Sequence, residues 1–302
     1  MRTTVVVVTW RGRGHLADCL TALAAQTRPH RTVVVDNAST DGSAAIAASF
    51  ADVEVVRLQR NQGYAGALAA VEPTVTTEFT AWLNDDAVPA TGWLAALEDA
   101  MAPAVGAASA LLRRPDGTVQ STGVGLTSRG YGFDLTTAPV FGFCGGAALV
   151  RTSALSQAGG TPADFFCYYE DTDVSWRLRL AGWDIVSVPE AEVLHAHGAT
   201  SRLGSRRFHR WNERNRLVML LRCAPLRVAF AELARFLVTT VTALVRRPEG
   251  ANFRPGLRLR VLAEVVLRLP RALAARRRGD RRADLWRTWA GTRPQGQAQA
   301  GR

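Results

Sequence analysis

The chain of 302 residues is 47% hydrophobic and carries a net charge of +11, which suits one large globular domain or one domain with an appendage. The charge is uneven, because 24 arginines and only six acidic residues lie from Arg202 onward; this part carries +18 and the first 201 residues carry −7. The four cysteines form no Cys-x-x-Cys pair, which argues against a zinc site or a disulfide framework, and no apolar run is long enough for a cleavable signal or a spanning helix.

Strand and helix patterns alternate over the first 88 residues. Short apolar runs rich in β-branched residues predict buried strands, and the segments between them have helical spacing of leucine or alanine. This alternation predicts an α/β fold with a parallel sheet covered on both faces. The predicted strands are Thr3–Thr9, Thr32–Val35, Val53–Leu58 and Phe79–Leu83.

Polar side chains follow the fourth predicted strand, where Asn84, Asp85 and Asp86 precede Pro89. Ligands of open α/β sheets bind at the carboxyl ends of the strands. Adjacent carboxylates repel one another, and a divalent cation that carries phosphates relieves this repulsion. The alternative is an ordinary turn, since Asn and Asp are common turn residues.

The second half of the chain is less regular before it becomes helical. Helices are predicted over Gly92–Met101 and Asp171–Ala181. Strands are predicted over Val105–Leu112, residues 141–150 and Trp183–Val188. A glycine-rich loop is predicted over Gly123–Phe133, and a mobile loop over Gly198–Ser205. Three helices follow, at about Arg206–Arg222, Leu226–Arg247 and Leu257–Arg277, and a disordered tail ends the chain. We divide the chain into a catalytic domain at 1–205, a basic helical region at 206–290 and a tail at 291–302.

Five stretches, in this order and at this spacing, resemble the inverting family 2 glycosyltransferases with the GT-A fold, and in particular bacterial rhamnosyltransferases and galactofuranosyltransferases of surface polysaccharide synthesis. The resemblance covers about residues 3–222. The stretches are Val7–Trp10, Val34–Ser43, Asn61–Gly66, Leu83–Asp86 and Tyr169–Arg179.

The resemblance implies a donor site for a UDP- or dTDP-linked sugar and a Mg²⁺ or Mn²⁺ ion. Asp36 matches a position that accepts the imide N–H of uracil or thymine, and Asp86 with His195 matches the metal-binding positions. Asn84 replaces the usual first Asp of the metal motif, and Arg11 stands where the family usually has Asn. The residues implied to bind the nucleotide sugar are Thr9, Trp10, Arg11, Asp36, Asn37, Ser39, Asp41, Asn61, Gly63, Asn84 and Asp85.

The same resemblance implies that Asp171 is the general base that deprotonates the acceptor hydroxyl, with Glu170 as the alternative. Aromatic neighbours would bury these carboxyls and raise their pKa values. Gly145, Gly146 and Arg177 are assigned to the acceptor side, although Arg177 also lies four residues from Asp173, the spacing of an ion pair on a helix. Glycan or polyprenyl-linked acceptors are implied, and so is a cytoplasmic location, with the basic helices peripheral on the inner face of the membrane.

Three other interpretations remain open. Gly12-x-Gly14-x-x-Ala17 with Asp36 outlines a dinucleotide-binding fingerprint, but it leaves the acidic clusters without a role. A sugar nucleotidyltransferase shares the nucleotide chemistry but does not need the Glu170–Asp173 segment. A nucleic-acid-binding protein would use the arginine-rich end, which lacks interleaved aromatic residues and any known reader motif; we expect no nucleic-acid partner.

Overall fold

A computed structural model describes residues 1–195, 204–246, 248–276 and 281–291. In these residues a nine-stranded mixed sheet forms the centre, in the order β3-β2-β1-β4-β10-β6-β11-β5, with β7 paired to β6. A separate two-stranded ribbon consists of β8 and β9. The strands are β1 Thr3–Thr9, β2 His30–Asp36, β3 Val53–Arg57, β4 Phe79–Asn84, β5 Ala87–Pro89, β6 Val105–Arg113, β7 Val119–Ser121, β8 Gly123–Leu126, β9 Gly132–Leu135, β10 Ala147–Arg151 and β11 Asp184–His195.

Helices cover both faces of the sheet, as predicted. Every residue of β1 is buried, and its alternating valines enter two different cores: Val5 and Val7 pack on one face, Val6 and Val8 on the other. The helices are α1 Leu16–Ala24, α2 Ser43–Ala48, α3 Gly63–Val71, α4 Trp93–Asp99, α5 Thr152–Ala158, α6 Glu170–Leu180, α7 Arg206–Cys223, α8 Leu226–Arg246, α9 Pro255–Ala274 and α10 Arg281–Trp289.

Strand direction decides which residues meet at one edge. Strands β1, β2, β3 and β4 are parallel, so their carboxyl ends lie together. Strand β10 runs antiparallel between β4 and β6, so its first residue, Ala147, pairs with Leu83 at the end of β4. Strand β11 is parallel to β6, and its last residue is His195. The ends of β1, β2, β4 and β11 and the start of β10 therefore share one edge.

Several sequence-based predictions need correction. The predicted loop at Gly123–Phe133 contains β8 and the start of β9. The predicted strand at 141–150 begins only at Ala147, because the preceding residues form the loop that reaches the site edge. Strand β11 continues through Pro189 by way of an irregular register between Val188 and Glu192, instead of ending at Val188. Helices α5 and α10 were not predicted.

The C-terminal helices pack on the sheet domain through α7, which is largely buried over its second half. Helix α8 has 21 residues and a mean hydropathy of 1.7 over its best window, so by length and composition alone it is apolar enough to cross a membrane. This result rests on length and composition only, and it does not overturn the prediction that no helix spans a membrane. That window is only 28% buried within the protein. The predicted mobile loop and tail lie mostly outside the described residues.

Candidate active site

Three polar side chains meet where β4 and β11 end. The Nε2 atom of His195 lies 3.1 Å from Asp86 Oδ1 and 3.1 Å from Asn84 Nδ2. Burial opposes ionisation of Asp86, but the hydrogen bond and charge of His195 outweigh it and lower the pKa of that carboxyl below its usual value. The pair Asp86 and His195 thus presents a carboxylate oxygen and an imidazole nitrogen side by side, which are donors that a divalent cation accepts.

The loop before β10 connects this pair to Asp171. Asn84 donates its backbone N–H to Gly146 O at 3.0 Å, and the N–H of Gly145 donates to Asp171 Oδ2 at 2.9 Å. A Cβ at Gly145 would lie 3.2 Å from the Asp171 side chain, so a larger residue there would displace Asp171 by a few tenths of an ångström. The two acidic clusters, 85 positions apart in the chain, are therefore joined by a short series of contacts at one edge of the sheet.

Asp85 lies beneath the first loop. Thr9 donates to Asp85 Oδ2 at 2.6 Å, and burial, reinforced by the neighbouring Asp86, raises the pKa of Asp85 to about 6. A Cβ at Gly12 would lie 2.1 Å from Asp85 Oδ2 and 2.4 Å from Thr9 Oγ1. Gly12 is therefore explained by the packing of the Asp85 carboxylate, which removes the main support for the dinucleotide fingerprint.

A pocket of about 390 Å³ opens beside the end of β2. Ser39 and Arg57 line the pocket, and Asp36, which contacts both of them, is fully buried. Asp36 Oδ1 accepts from the N–H of Ser39, while Oδ2 has no hydrogen-bond partner within the described part of the chain and lies 3.3 Å from Arg57 Nε. The pocket is suited to a group that offers both a donor and an acceptor. Arg57 ends β3 at the same edge, so the strand-end rule that selected Asp36 also selects Arg57.

Hydrogen bonds hold the loops around this pocket together. The Asn37 side chain accepts from Gln62 N–H at 2.7 Å and donates to Gly63 O at 3.0 Å, and Asn61 caps the same turn by accepting from Gly63 N–H. In the first loop, Ser39 accepts from the N–H of Arg11. Other residues predicted to bind the nucleotide sugar also lie here. Asp41 accepts a hydrogen bond from the N–H of Arg13, and Trp10 stacks under the Arg11 guanidinium.

A second pocket, of about 200 Å³, contains the other acidic pair. Burial, reinforced by the Asp171 charge, raises the pKa of Glu170 to about 8, and its Oε2 has no hydrogen-bond partner among the described residues. Burial also raises the pKa of Asp171, although three hydrogen bonds, from Gly145 and Thr172, partly offset that effect. Asp134 and Asn212 line the same pocket and were not selected from the sequence.

Strained backbone precedes this pair. Phe166, Tyr168 and Tyr169 all have positive φ, between 67° and 71°, which costs free energy for residues with a side chain. Asn215 of α7 compensates: its Nδ2 lies 2.8–2.9 Å from the carbonyl oxygens of Phe165, Cys167 and Tyr168. Arg214 donates to the carbonyl of Phe165 at 2.6 Å. The Arg214–Asn215 pair therefore fixes the segment that presents Glu170 and Asp171.

We predict that Asn215→Leu destabilises the protein by about 1–3 kcal/mol, the cost of unsatisfied buried carbonyls. Because the strained segment loses its support, transfer activity should fall about tenfold or more even where the protein stays folded. Denaturant unfolding and initial rates measure the two effects. Asn252→Leu, at a half-buried position near the start of α9, is the control; equal losses in both variants would contradict the role given to Asn215.

Arg177 does not have the surroundings expected of an acceptor residue. It is buried, its Nε lies 2.7 Å from Asp173 Oδ2, and Nη1 donates to the carbonyl of Ala158. Arg222 also reaches Asp173, at 2.9 Å. The ion-pair interpretation of Arg177 is thus confirmed, and we withdraw the acceptor-side assignment. His197, a second histidine two residues after His195, lies outside the described residues.

The family model described as Glycosyl transferase family 2 matches residues 4–159, just over half of the chain. The chain belongs to glycosyltransferase family 2. A relative from Mycobacterium tuberculosis, N-acetylglucosaminyl-diphospho-decaprenol L-rhamnosyltransferase, is 31% identical in an alignment 229 residues long that covers 63% of this chain and 75% of the relative. The chain is accordingly a glycosyltransferase.

Solved structures place this family 2 glycosyltransferase in the GT-A fold. A mannosyltransferase from Pyrobaculum calidifontis, in complex with GDP-Man and Mn²⁺, has a TM-score of 0.54 at 22% identity and covers 95% of this chain and 79% of its own. TarS 1–349 from S. aureus has a TM-score of 0.55 at 16% identity, and the match covers 88% of this chain and 71% of the TarS chain. GalNAc-T7, with UDP, GalNAc and Mn²⁺, has a TM-score of 0.62 at 14% identity, and the match covers 90% of this chain and 57% of the GalNAc-T7 chain. The predicted fold class is confirmed.

Proposed function

We propose that this enzyme transfers L-rhamnose from a nucleoside diphosphate to a hydroxyl of an N-acetylglucosamine carried on a polyprenyl diphosphate. The observation that carries this proposal is the 31% identity to the mycobacterial rhamnosyltransferase, which extends over 75% of that protein. The juxtaposition of Asp86, His195 and Asp171 at one sheet edge supports it, because glycosyl transfer needs both leaving-group stabilisation and a base.

The donor's base is assigned to the pocket beside Asp36. Asp36 Oδ2, which is ion-paired with Arg57 but has no hydrogen-bond partner among the described residues, accepts the imide N–H of uracil or thymine, and Arg57 donates to an adjacent carbonyl of the same ring. The diphosphate then lies between this pocket and Asp86. Thermal-shift measurements with UDP-, dTDP- and GDP-sugars test the assignment, since the matching donor stabilises the folded protein by mass action. Stabilisation by GDP-sugars alone would contradict it.

Asp86 and His195 are the residues that would hold a divalent cation. Among the described residues no group of three or more His, Cys, Asp or Glu is placed to hold a cation, which fits a site completed by the donor's phosphates. When bound, Mg²⁺ or Mn²⁺ neutralises charge on the departing diphosphate. Asn84 bonds His195 in place of a further carboxylate, so the protein contributes one negative charge less than the usual motif.

Gln120 sets the state of His195. Its Oε1 lies 3.0 Å from His195 Nδ1, so a proton on Nδ1 is held there. A cation would then bind at Nε2, in place of the present contacts of that atom with Asp86 and Asn84. We predict that Gln120→Leu weakens Mn²⁺ binding about 10–100-fold, while Gln120→Glu, which keeps an acceptor oxygen, restores much of it. Calorimetric titration of Mn²⁺ in the presence of nucleoside diphosphate measures this. Unchanged affinity in the Leu variant would show that Gln120 only packs against the ring.

We assign Asp171 as the base and Glu170 as a neutral neighbour. A carboxyl group with a pKa of about 8 is mostly protonated at pH 7 and cannot accept the acceptor's proton. Asp171 receives three hydrogen bonds that favour its ionised form, and its raised pKa makes it a stronger base than an exposed carboxylate. The acceptor sugar occupies the pocket lined by Asp134 and Asn212.

The raised pKa of Glu170 predicts a pH dependence of stability. Its carboxyl binds a proton more tightly in the folded state than at its ordinary pKa of 4.5, so the stabilisation is complete below about pH 4.5 and is lost as the pH rises to about 8. In Glu170→Gln this decline should be absent, and transfer at pH 7 should stay within about tenfold of the parent rate. Melting temperatures from pH 5 to 8.5, with exposed Glu190→Gln as the control, test this. Identical slopes in parent and Glu170→Gln would contradict it.

The proposed substrates place the reaction at the cytoplasmic face of a membrane. A polyprenyl-linked acceptor is confined to the bilayer, and the four unpaired cysteines suit a reducing compartment. The test of the function is transfer to a synthetic N-acetylglucosaminyl diphosphate lipid from a panel of nucleoside-diphosphate sugars. We expect rhamnosyl donors to be used at least about tenfold better than hexosyl donors. Preference for another sugar would refute the assignment of rhamnose, but it would leave the chain's membership of glycosyltransferase family 2 unaffected.

A further inference from the structure

Exposed apolar side chains are concentrated on the C-terminal helices. Of thirteen large hydrophobic residues exposed in the described part of the chain, eleven lie between Leu226 and Leu267. The most exposed of these are Val245 at 80%, Leu267 at 77%, Val238 at 62% and Val266 at 60%. Soluble monomers rarely leave such residues together without a function for them.

Eight of these eleven residues, together with smaller exposed residues, form one stripe on each of two helices. On α8 the positions are 230, 234, 237, 238, 241 and 245, and on α9 they are 259, 263, 266, 267, 270 and 274; the spacing is identical and follows one helix face. The other face of each helix is buried, through Phe236 and Ala243 on α8 and Val261 and Val265 on α9. Helices α8 and α9 both pack on α7 and on each other, and each stripe lies opposite the buried face of its helix. We call the two stripes the open apolar face.

Arginines border the open apolar face. Arg235 and Arg246 on α8 and Arg260 and Arg271 on α9 are exposed beside it. Only two of these four have an acidic neighbour within the described residues: Arg235 lies 3.2 Å from Glu232 and Arg260 lies 3.1 Å from Glu264. An apolar stripe flanked by cations is complementary to a bilayer surface with anionic headgroups. It is not complementary to a second copy of itself, since the arginines would repel.

We infer that the open apolar face inserts into one leaflet of an anionic membrane, with α8 and α9 lying in the plane of the interface. Spanning by α8 is disfavoured, although its length permits it, because its inner face is tied to the protein. Glu232 is 4% exposed and lies 3.1 Å from Arg216 of α7, so pulling α8 across a bilayer would break a buried ion pair. The inference deepens the proposed function, on which it rests, by bringing the site to a lipid-linked acceptor.

The test is flotation of the full chain with vesicles of phosphatidylcholine and phosphatidylglycerol in equal parts, and with phosphatidylcholine alone. We expect binding to the anionic vesicles that weakens at high salt. Val238→Ser combined with Leu267→Ser should reduce it about 10–100-fold, since each side chain loses the transfer of apolar area into lipid. Ala45→Ser with Ala48→Ser, exposed on α2, is the matched control and should bind as the parent does.

Each other outcome overturns the inference. No flotation with anionic vesicles excludes a membrane partner. Self-association of the free chain that the Val238/Leu267 variant abolishes identifies the face as a contact between copies. Resistance of bound protein to alkaline extraction shows that α8 spans instead. Flotation needs neither donor nor acceptor, so a chain that transfers sugar but never floats refutes only this inference, whereas one that floats but transfers no sugar refutes only the proposed function.

Discussion

Replacing Asp171 with Asn is expected to lower the turnover number about 10³–10⁴-fold while the fold and donor affinity stay unchanged. Gly145 and Thr172 donate to different oxygens of Asp171, so the single amide oxygen of Asn keeps only one of these two sets of hydrogen bonds. The amide has nearly the shape of the carboxyl group, but it cannot take a proton from the attacking hydroxyl. Initial rates with saturating donor and acceptor measure the loss, and a thermal shift with donor alone measures binding.

Asp184→Asn provides the control for this prediction, because Asp184 is exposed at the start of β11, on the edge of the sheet opposite the site. It should transfer sugar at the parent rate. Turnover within tenfold of the parent in Asp171→Asn would exclude Asp171 as the base. If Glu170→Gln instead lost transfer activity, the base would be Glu170.

Replacing Asp86 with Ala is expected to reduce kcat/KM about 10²–10³-fold and to remove most of the dependence on Mn²⁺ or Mg²⁺. Asp86 supplies the carboxylate of the Asp86–His195 pair, and its lowered pKa keeps this carboxylate ionised at neutral pH. Rates are measured across a metal titration, and Mn²⁺ binding is followed separately in the presence of nucleoside diphosphate.

The matched variant is Asp116→Ala, which removes an exposed carboxylate from the turn after β6. It should leave the metal titration unchanged. An Asp86→Ala enzyme with a normal metal response would mean that the cation, where one is required, is held elsewhere.

The first part of the site was predictable because strand ends are local features. A buried run followed by polar residues marks the carboxyl end of a strand, and in a parallel sheet such ends share an edge. Asn84 is predicted in this way, and Thr9 and Asp36, which the resemblance to family 2 glycosyltransferases implies, also end strands at this edge. The same rule applied to β3 selects Arg57, which the sequence analysis places inside the strand because the predicted strand ends one residue later, at Leu58.

The remainder depended on strand direction and tertiary contacts, which no local pattern encodes. Nothing near Ala147 indicates that β10 runs antiparallel, yet that direction alone brings Gly145 to Asp171. Gln120 lies on a strand of three residues, which is too short to show the alternating apolar and polar pattern that predicts a strand. The role of Arg214 and Asn215 could be stated only once their carbonyl partners, some 50 residues earlier, were known.

The central claim is that the Asp86–His195 pair and Asp171 act on the two ends of one glycosyl transfer. It is tested most directly by following the reaction of nucleoside-diphosphate rhamnose with the N-acetylglucosaminyl lipid by nuclear magnetic resonance. The account predicts release of a nucleoside diphosphate and a single new glycosidic linkage with inverted anomeric configuration. Release of pyrophosphate, or a product that retains the donor's configuration, would contradict it.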